Sequence, residues 1–231
     1  MEEGNSQMKL ETINLSKTYF SERGEVKALE DINFEVKEGE FLCIFGPTGC
    51  GKTTLLRLIA GLEQPTTGKI LLDGREISGT SPDRVLIFQE FSLFPWRDVF
   101  KNIEFGLEMM GVKDRKEIVE KYIELMELNC FEKRYPYELS GGMKQKVAIA
   151  RALCMNPSIL LMDEPFSLLD AETTKLLHRE LLKIWEKTGK TIIFVTHSVE
   201  EARILGTRIV FLSPRPGKIV KIEEVKKGIR V

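Results

Sequence analysis

The sequence predicts an α/β fold that combines a mostly parallel sheet, an N-terminal antiparallel β subdomain and an inserted α-helical segment. Two observations indicate the parallel sheet. Short apolar runs alternate with helical patterns after residue 157, and a glycine-rich loop joins an apolar run to a helix near residue 50. Between these parts, from about residue 90 to residue 156, apolar residues recur at helical spacing. We therefore expect one sheet interrupted by a helical insertion.

The N-terminal part of the chain has the patterns of antiparallel strands. Apolar residues alternate with polar ones from Ile32 to Val36, which indicates a strand with one buried face. Residues Gly68–Ile77 contain an Asp73-Gly74 pair suited to a tight hairpin. Between them, Phe41–Phe45 is a continuous apolar run, which is typical of a strand buried on both faces.

A glycine-rich loop follows this buried strand. Gly46-Pro-Thr-Gly-Cys-Gly-Lys-Thr53 matches the phosphate-loop pattern G-x-x-x-x-G-K-[ST], and a helical pattern begins near Lys52. Glycines let backbone N–H groups surround a phosphate, and the helix N-terminus adds a favourable dipole. Lys52 supplies a cation for the outer phosphates, and Thr53 offers a hydroxyl to Mg²⁺. The predicted phosphate-binding residues are Gly46, Pro47, Thr48, Gly49, Cys50, Gly51, Lys52, Thr53 and Thr54.

The helical segment ends in a second motif. Ile118, Tyr122, Leu125 and Met126 share one helical face, and Pro157 ends a helix that contains residues 147–155. Before that helix comes Leu139-Ser-Gly-Gly-Met-Lys-Gln145. Its serine is suited to cap a helix that begins near residue 143, and its two glycines leave the N–H groups at the helix start unobstructed.

Strands and helices alternate again after residue 157. The predicted strands are Ile159–Met162, Thr191–Val195 and Ile209–Leu212, the last followed by a Pro214–Gly217 turn. Leu177, Leu181 and Ile184 define a helix between the first two strands, and His178 on that helix is expected to be solvated.

Two adjacent carboxylates end the strand Ile159–Met162. Asp163 lies where an α/β sheet opens into a ligand crevice, and we expect it to hold Mg²⁺. Glu164 is placed to act on the water that attacks a γ-phosphate, either by removing its proton or by orienting it.

Composition excludes several classes of protein. At 231 residues the chain has room for one large domain, and its formal net charge of −1 favours no nucleic-acid partner. No apolar run approaches the ~18 residues of a membrane span, and the polar N-terminus does not match a secretory signal. We therefore expect a soluble, cytoplasmic chain.

The four cysteines show no spacing typical of a zinc site or a disulfide framework. They are Cys43, Cys50, Cys130 and Cys154, and we expect reduced, mostly packed thiols. Cys50 differs because it lies in the phosphate loop, which makes it a candidate for alkylation.

In this order and spacing, the motifs resemble those of the ATP-binding subunit of an ABC transporter, over nearly the whole chain. The resemblance implies a P-loop NTPase core with the ABC ATPase fold in a single domain, 1–231. Residues 1–89 and 157–231 are expected to form the RecA-like core with its antiparallel β subdomain, and residues 90–156 the helical subdomain. It also implies ATP and Mg²⁺ as ligands.

The same resemblance implies roles for further residues. Tyr19 is expected to stack on adenine, Gln89 to contact Mg²⁺ and sense the γ-phosphate, and His197 to contact the γ-phosphate and support the water near Glu164. The expected catalytic residues are Glu164 and His197, and the expected Mg²⁺ ligands are Thr53, Gln89 and Asp163. The residues expected to complete the ATP site of a second chain are Leu139, Ser140, Gly141, Gly142, Gln145 and Asp170.

A finer resemblance is to the nitrate, sulfonate and taurine importers, a group that also contains proteins handling thiamine precursors. It depends on residues 89–96, residues 135–145 and Pro216-Gly217. This chain departs from the family at Ser167-Leu-Leu-Asp170, where Gly-Ala-Leu-Asp is usual, and at Ser198, where an aspartate often follows the histidine. Pro95-Trp96 either faces the groove for a membrane partner or packs within its loop.

The implied partners are a second copy of the chain bound through ATP, integral membrane permease subunits and, indirectly, a solute-binding protein. The implied location is the cytoplasmic face of a prokaryotic cell membrane. One alternative is an ABC ATPase that acts on nucleic acid or the ribosome, although such chains typically fuse two ATPase domains or carry long coiled coils. A kinase or GTPase would leave residues 139–145 unexplained, and a non-catalytic regulatory subunit would be expected to lack Glu164 or His197.

Overall fold

The computed structural model describes residues 7–22 and 24–225, which form two sheets and six α-helices. The smaller sheet is antiparallel and has the strand order β2-β1-β4-β5. Its strands are β1 (Met8–Ser21), β2 (Gly24–Lys37), β4 (Thr67–Leu72) and β5 (Arg75–Glu76). The hairpin predicted around Asp73-Gly74 is confirmed, because Leu72 pairs with Arg75 and both turn residues have positive φ.

The larger sheet has six strands in the order β10-β9-β3-β8-β7-β6. They are β3 (Phe41–Phe45), β6 (Arg84–Ile87), β7 (Ile159–Asp163), β8 (Thr191–Thr196), β9 (Arg208–Leu212) and β10 (Ile219–Glu224). All neighbours pair in parallel except β10, which is antiparallel to β9. The predicted fold class, a mostly parallel sheet with an antiparallel β part and helices, is confirmed.

Six α-helices and a 3₁₀ helix complete the described residues. They are α1 (Lys52–Ala60), α2 (Val99–Met109), α3 (Arg115–Leu125), the 3₁₀ helix Pro136–Glu138, α4 (Gly141–Cys154), α5 (Ala171–Thr188) and α6 (Val199–Leu205). None of the helices formed by the described residues combines the length and the apolar character that crossing a membrane requires.

The parallel sheet separates two hydrophobic cores. Phe41 and Cys43 of β3 face the core that contains α2 to α6, whereas Leu42 and Ile44 face the core that contains α1 and the antiparallel sheet. Successive side chains of a strand point to opposite faces, so an uninterrupted apolar run serves both cores. This explains why the central strands show no polar alternation.

Several predicted boundaries were wrong. Strands β6 and β10 were not predicted. β6 has four residues and follows a polar loop, and β10 at the sheet edge has no buried residue. The helical stretch begins at Val99 instead of about residue 90, and α4 begins at Gly141 instead of near residue 143.

The order of the parallel strands brings the predicted motifs to one edge. Strands β3, β8 and β7 are neighbours, so their carboxyl ends lie side by side. The phosphate loop follows β3, Asp163 ends β7, and His197 follows β8. Segments far apart in sequence therefore meet at the edge where α/β sheets bind ligands.

Candidate nucleotide site

The phosphate loop turns tightly between β3 and α1. Gly51 precedes the helix with φ +104°, and a Cβ on it would lie 2.8 Å from the carbonyl oxygen of Ala28. Only glycine adopts this backbone without strain and fits against the neighbouring strand. Within the loop, the N–H of Cys50 donates to the carbonyl of Pro47 at 3.2 Å.

Lys52 is buried in the folded loop. Its Nζ donates to the carbonyl oxygens of Gly46 at 2.7 Å and Pro47 at 3.2 Å, and lies 3.4 Å from Oε1 of Glu164. A buried cation must be paired or hydrogen-bonded. The loop carbonyls and Glu164 meet this need, so Lys52 lies between the loop and the Glu164 carboxylate.

Oxygen donors suited to a divalent cation meet beside Lys52. The hydroxyl of Thr53 donates to Oδ1 of Asp163 at 3.2 Å, and Gln89 lines the same cavity. Burial raises the pKa of Asp163, and the hydrogen bond from Thr53 only partly opposes this effect. A hydroxyl, a carboxylate and an amide oxygen fit Mg²⁺, which prefers oxygen ligands and shares its shell with nucleotide phosphates.

Glu164 and His197 form a close pair at the same edge. Nδ1 of His197 lies 2.8 Å from Oε2 of Glu164, and the side chain of His197 is 57% exposed. Both residues, together with Lys52 and Asp163, line the cavity. A carboxylate and an imidazole in contact at a phosphate site can position an attacking water and hold its proton.

Tyr19 also lines the cavity. Its hydroxyl lies 3.3 Å from the hydroxyl of Thr54 and donates to Oε2 of Glu63 at 2.5 Å, and Nζ of Lys17 lies 5.1 Å from the ring centroid. Burial raises the pKa of Tyr19, and the hydrogen bond to Glu63 adds to the shift. The residue is 37% exposed, which leaves surface for a stacked base.

The cavity has a volume of about 600 Å³, and its wall differs in part from the predicted residue set. Thr48, Gly49, Gly51, Lys52, Thr53 and Thr54 line it. Gly46 and Pro47 instead supply carbonyls to Lys52, and Cys50 is 1% exposed. Cys50 is therefore not an accessible candidate for alkylation, because its thiol is packed inside the protein. Burial also raises the pKa of this thiol.

Three wall residues were not predicted. Val26 and Ala28 come from β2, and Arg215 comes from the turn after β9. The Pro214–Gly217 turn was recognised in the sequence but not assigned to a site. No local motif links residues 26 and 28 to the cavity, because the packing of the antiparallel sheet against α1 and the parallel sheet brings them there.

The predicted trans-site residues lie away from this cavity. Ser140 is exposed and caps α4, accepting a hydrogen bond from the N–H of Met143 at 3.3 Å. Leu139, Gly142 and Gln145 are buried, and neither side-chain polar atom of Gln145 has a partner among the described residues. Within the signature 139–145, Ser140 is exposed, and Gly141, Met143 and Lys144 are half-buried.

Asp170 is used within its own chain. Its carboxylate caps α5, accepting hydrogen bonds from the N–H groups of Glu172 and Thr173 and from the Thr173 hydroxyl. These bonds lower the pKa of Asp170. The neighbouring Leu168 is 55% exposed and is the apolar side chain that this loop presents outward.

The sequence matches the family model described as ABC transporter over residues 29–167. A model described as an AAA domain, putative AbiEii toxin, Type IV TA system, matches residues 132–203. The chain is 54% identical over 220 residues to an uncharacterised ABC transporter ATP-binding protein of Methanocaldococcus jannaschii, covering 94% of this chain and 82% of the relative.

Two further relatives have named solutes. A nitrate import ATP-binding protein of Synechocystis is 48% identical over 214 residues, covering 92% of this chain and 80% of the relative. An aliphatic sulfonates import ATP-binding protein of Bacillus cereus is 49% identical over 218 residues, covering 93% and 86%.

Among solved structures, a dimeric ATP-binding cassette in a post-hydrolysis state with ADP and Pi superimposes with a TM-score of 0.82. It is 33% identical, and the match covers 94% of this chain and 99% of that one. The chain therefore belongs to the ABC transporter family, in which it is an ATP-binding subunit that hydrolyses ATP.

Proposed function

We propose that two copies of the chain close head to tail around two ATP molecules, and that hydrolysis drives solute movement through a separate membrane permease. One observation carries this proposal. The cavity gathers Lys52, Asp163, Glu164 and His197, but its wall as described contains no residue of the signature 139–145. Ser140 is exposed elsewhere on the same chain. A second copy is the natural source of the missing half.

In this site, different residues of the chain have different roles in hydrolysis. Lys52 exchanges its contacts with loop carbonyls for the outer phosphates. Glu164 holds the attacking water, and His197 fixes the Glu164 carboxylate from 2.8 Å away. Thr53, Gln89 and Asp163 would hold Mg²⁺, which neutralises phosphate charge when bound. Positioning and charge neutralisation are the protein's main contributions to phosphoryl transfer.

The energy required for ATP-driven closure is modest. Shifting a dimer from 1:99 closed to 99:1 closed needs roughly 5.5 kcal/mol of differential binding. Hydrogen bonds to charged groups contribute about 1.5–3 kcal/mol each. Two sites with two signature contacts each are sufficient, and loss of the γ-phosphate removes the bridge between the copies.

An apolar groove supports a membrane permease as the partner. It has a volume of about 410 Å³ and lies between the loop after β6, α2 and α4. Phe88 and Phe91, which flank Gln89, line it together with Phe105 and Met109. Trp96 is 72% exposed, with its ring 5.6 Å from that of Phe94. A helix from a permease would fill this groove and contact the loop that carries Gln89.

We infer import of a small anion: nitrate or a sulfonate from the names of the relatives, or taurine from the resemblance of the sequence motifs. The choice of solute belongs to the permease and to a solute-binding protein that acts through it. The same assignment puts the chain at the cytoplasmic face of a prokaryotic membrane. We also propose the division into a core, 1–89 and 157–231, and a helical subdomain, 90–156.

The experiment that tests this function uses Glu164→Gln. We expect this variant to lose ATP turnover but to dimerise with MgATP in light scattering, because amide and carboxylate have the same shape. Adding Ser140→Arg gives the control, since a bulky cation at the exposed cap should block the sandwich and leave a monomer. A Glu164→Gln chain that stays monomeric at saturating ATP would refute the sandwich.

A further inference from the structure

The turn after β9 packs directly against the phosphate loop. A Cβ on Gly217 would overlap the carbonyl oxygen of Cys50. The N–H of Gly217 donates to the carbonyl of Ala28 at 2.9 Å, and its carbonyl accepts from the N–H of Glu30 at 3.0 Å. The turn is thus fixed to β2 on one side and touches the phosphate loop on the other.

Arg215 extends from this anchored turn to the middle of the loop. Its Nε donates to the carbonyl oxygen of Gly49 at 3.1 Å, and the side chain forms part of the cavity wall. Gly49 has φ +78°, and a Cβ there would lie 3.5 Å from Nη2 of Arg215. The guanidinium therefore holds the carbonyl of Gly49, a residue with a positive φ that glycine adopts more readily than other residues.

The held peptide is connected to Lys52, the lysine expected to bind the outer phosphates. In a trans peptide the carbonyl and the following N–H point in opposite directions, so fixing the carbonyl of Gly49 also fixes the N–H of Cys50. That N–H donates to the carbonyl of Pro47 at 3.2 Å, and the same oxygen accepts from Nζ of Lys52 at 3.2 Å. Arg215 is thus linked to Lys52 through a continuous series of contacts in the loop.

We propose that Arg215 is a positioning residue of the phosphate loop, which keeps the loop ready to bind the nucleotide phosphates. The inference rests on the proposed function of the same cavity. Loop N–H groups bind phosphates well only if the peptides already have the right orientation, and an ordered loop loses less entropy on binding. Arg215 acts on the loop itself, so its effect extends to ADP as well as ATP.

The direct test measures MgADP binding by calorimetry for wild type, Arg215→Gln and Arg75→Gln. Arg75 is exposed on β5 and does not line the cavity, so it is the matched control. We expect Arg215→Gln to weaken MgADP binding about tenfold, the size of one lost hydrogen bond to a charged group. KM for ATP should rise by a similar factor, and kcat should stay within about twofold of wild type. The reason is that the lost interaction stabilises bound ATP and the transition state equally.

A second readout follows the loop itself. Cys50 is 1% exposed and Cys130 is exposed, so alkylation by N-ethylmaleimide, mapped by mass spectrometry, has an internal reference. We expect Cys50 in Arg215→Gln to react several-fold faster than in wild type, with Cys130 unchanged. MgADP at saturation should restore the protection.

Different failures have different meanings. Wild-type MgADP affinity and Cys50 reactivity in Arg215→Gln would overturn the inference and leave the proposed function intact. So would a higher KM for ATP with unchanged MgADP affinity, since that indicates a direct γ-phosphate contact. A lower thermal midpoint of the ligand-free variant with unchanged MgADP affinity would assign Arg215 to the fold alone and also overturn it. Absence of MgADP binding by wild type and Arg75→Gln would refute the proposed function itself.

Discussion

Glu164 adopts φ +45°, a left-handed backbone conformation that is uncommon for residues other than glycine. Its N–H donates to the carbonyl of Val195 at 3.0 Å, and its carbonyl accepts from the hydroxyl of Ser167 at 2.8 Å. Strained residues persist where the surroundings fix them, and they concentrate at active sites. Ser167, one of the departures from the family pattern, therefore has a local role in holding the proposed catalytic residue.

Packing within their own chain gives a second reason why the two signature positions 141 and 142 are glycines. A Cβ on Gly141 would lie 2.8 Å from Cδ2 of Leu169, and one on Gly142 would lie 2.7 Å from Cγ2 of Thr173. The start of α4 thus packs closely on the loop and helix that follow β7. The sequence explained these glycines only by the N–H groups that they leave free.

At Asp163 we predict a conflict between stability and function. Burial raises the pKa of Asp163, so its stabilising contribution is fully present below the pKa of an unfolded aspartate, about 3.9, and is lost as pH rises through the folded pKa. Asp163→Asn should therefore raise the free energy of unfolding of the nucleotide-free protein at pH 7, and the gain should shrink towards pH 4. Thermal unfolding of wild type and Asp163→Asn in the presence of a chelator, between pH 4 and pH 7, measures this gain in stability. We expect the variant to lose Mg²⁺-dependent ATP turnover.

The matched control is Asp114→Asn, because Asp114 is exposed at the start of α3 and its side chain makes no capping hydrogen bond. It should show no pH-dependent gain. If Asp163→Asn is less stable than wild type at pH 7, the carboxylate stabilises the ligand-free site, and the interpretation of its burial is wrong.

Among the elements, α5, α6 and β8 are joined by a buried polar network. Nε2 of His178 lies 2.7 Å from Oε1 of Glu201, and the hydroxyl of Thr196 donates to Oε2 of the same carboxylate. The N–H of Ser198 donates to the Thr196 hydroxyl at 2.9 Å. His197 lies in the chain between Thr196 and Ser198, two members of this network. The prediction that His178 is solvated was wrong, because the residue is only 6% exposed.

For this network we predict that His178→Leu lowers the free energy of unfolding by about 1–3 kcal/mol, the cost of an unpaired buried polar group. Urea denaturation with an unchanged m-value measures it. We also expect a lower kcat, since the segment around His197 loses its support from α5.

His178→Gln provides the control, because its amide can still donate to Glu201 from a similar position. It should remain within about 1 kcal/mol of wild type, since it retains a hydrogen bond of that size. Equal stability of His178→Leu and wild type would mean that the contact with Glu201 contributes no net stability.

At the scale of the whole molecule, both sheets contribute residues to the wall of the nucleotide cavity. Tyr19, Val26 and Ala28 come from the antiparallel sheet, whereas Asp163 and His197 come from strand ends of the parallel sheet. The signature is separate from both, at the start of α4. This separation supports the proposed site shared between two copies.

A shared site predicts that turnover depends on dilution. At saturating MgATP and well below the dimerisation constant, the ATPase rate per chain should rise in proportion to protein concentration, because the population of dimers follows mass action. A dilution series of steady-state rates measures this dependence.

Mixing makes the test specific. Excess Glu164→Gln chains should increase the ATPase rate of dilute wild type, because in a mixed dimer they supply an intact signature to the ATP site of the wild-type chain. Chains that also carry Ser140→Arg should not. A rate that is independent of both dilution and mixing would point to a self-contained monomeric site or to an already stable dimer that does not exchange chains.

Local motifs predicted most of the site because their chemistry is encoded in short segments. The phosphate loop, Asp163, Glu164 and His197 were named from sequence, and all except Gly46, Pro47 and Cys50 of the loop line or approach the cavity. The apolar runs likewise predicted the central strands. Strand β10 was missed because an edge strand without buried residues carries no apolar pattern.

The sequence by itself determined the fold class, the phosphate loop and the family, since each depends on residue types at fixed spacing along the chain. Only the tertiary structure decided that Arg215 holds Gly49, that His178 is buried against Glu201, and that Cys50 is packed away from solvent. The physical reason is the same in each case. These contacts join residues between 23 and 166 positions apart, or depend on burial by such distant segments, and no local pattern records them.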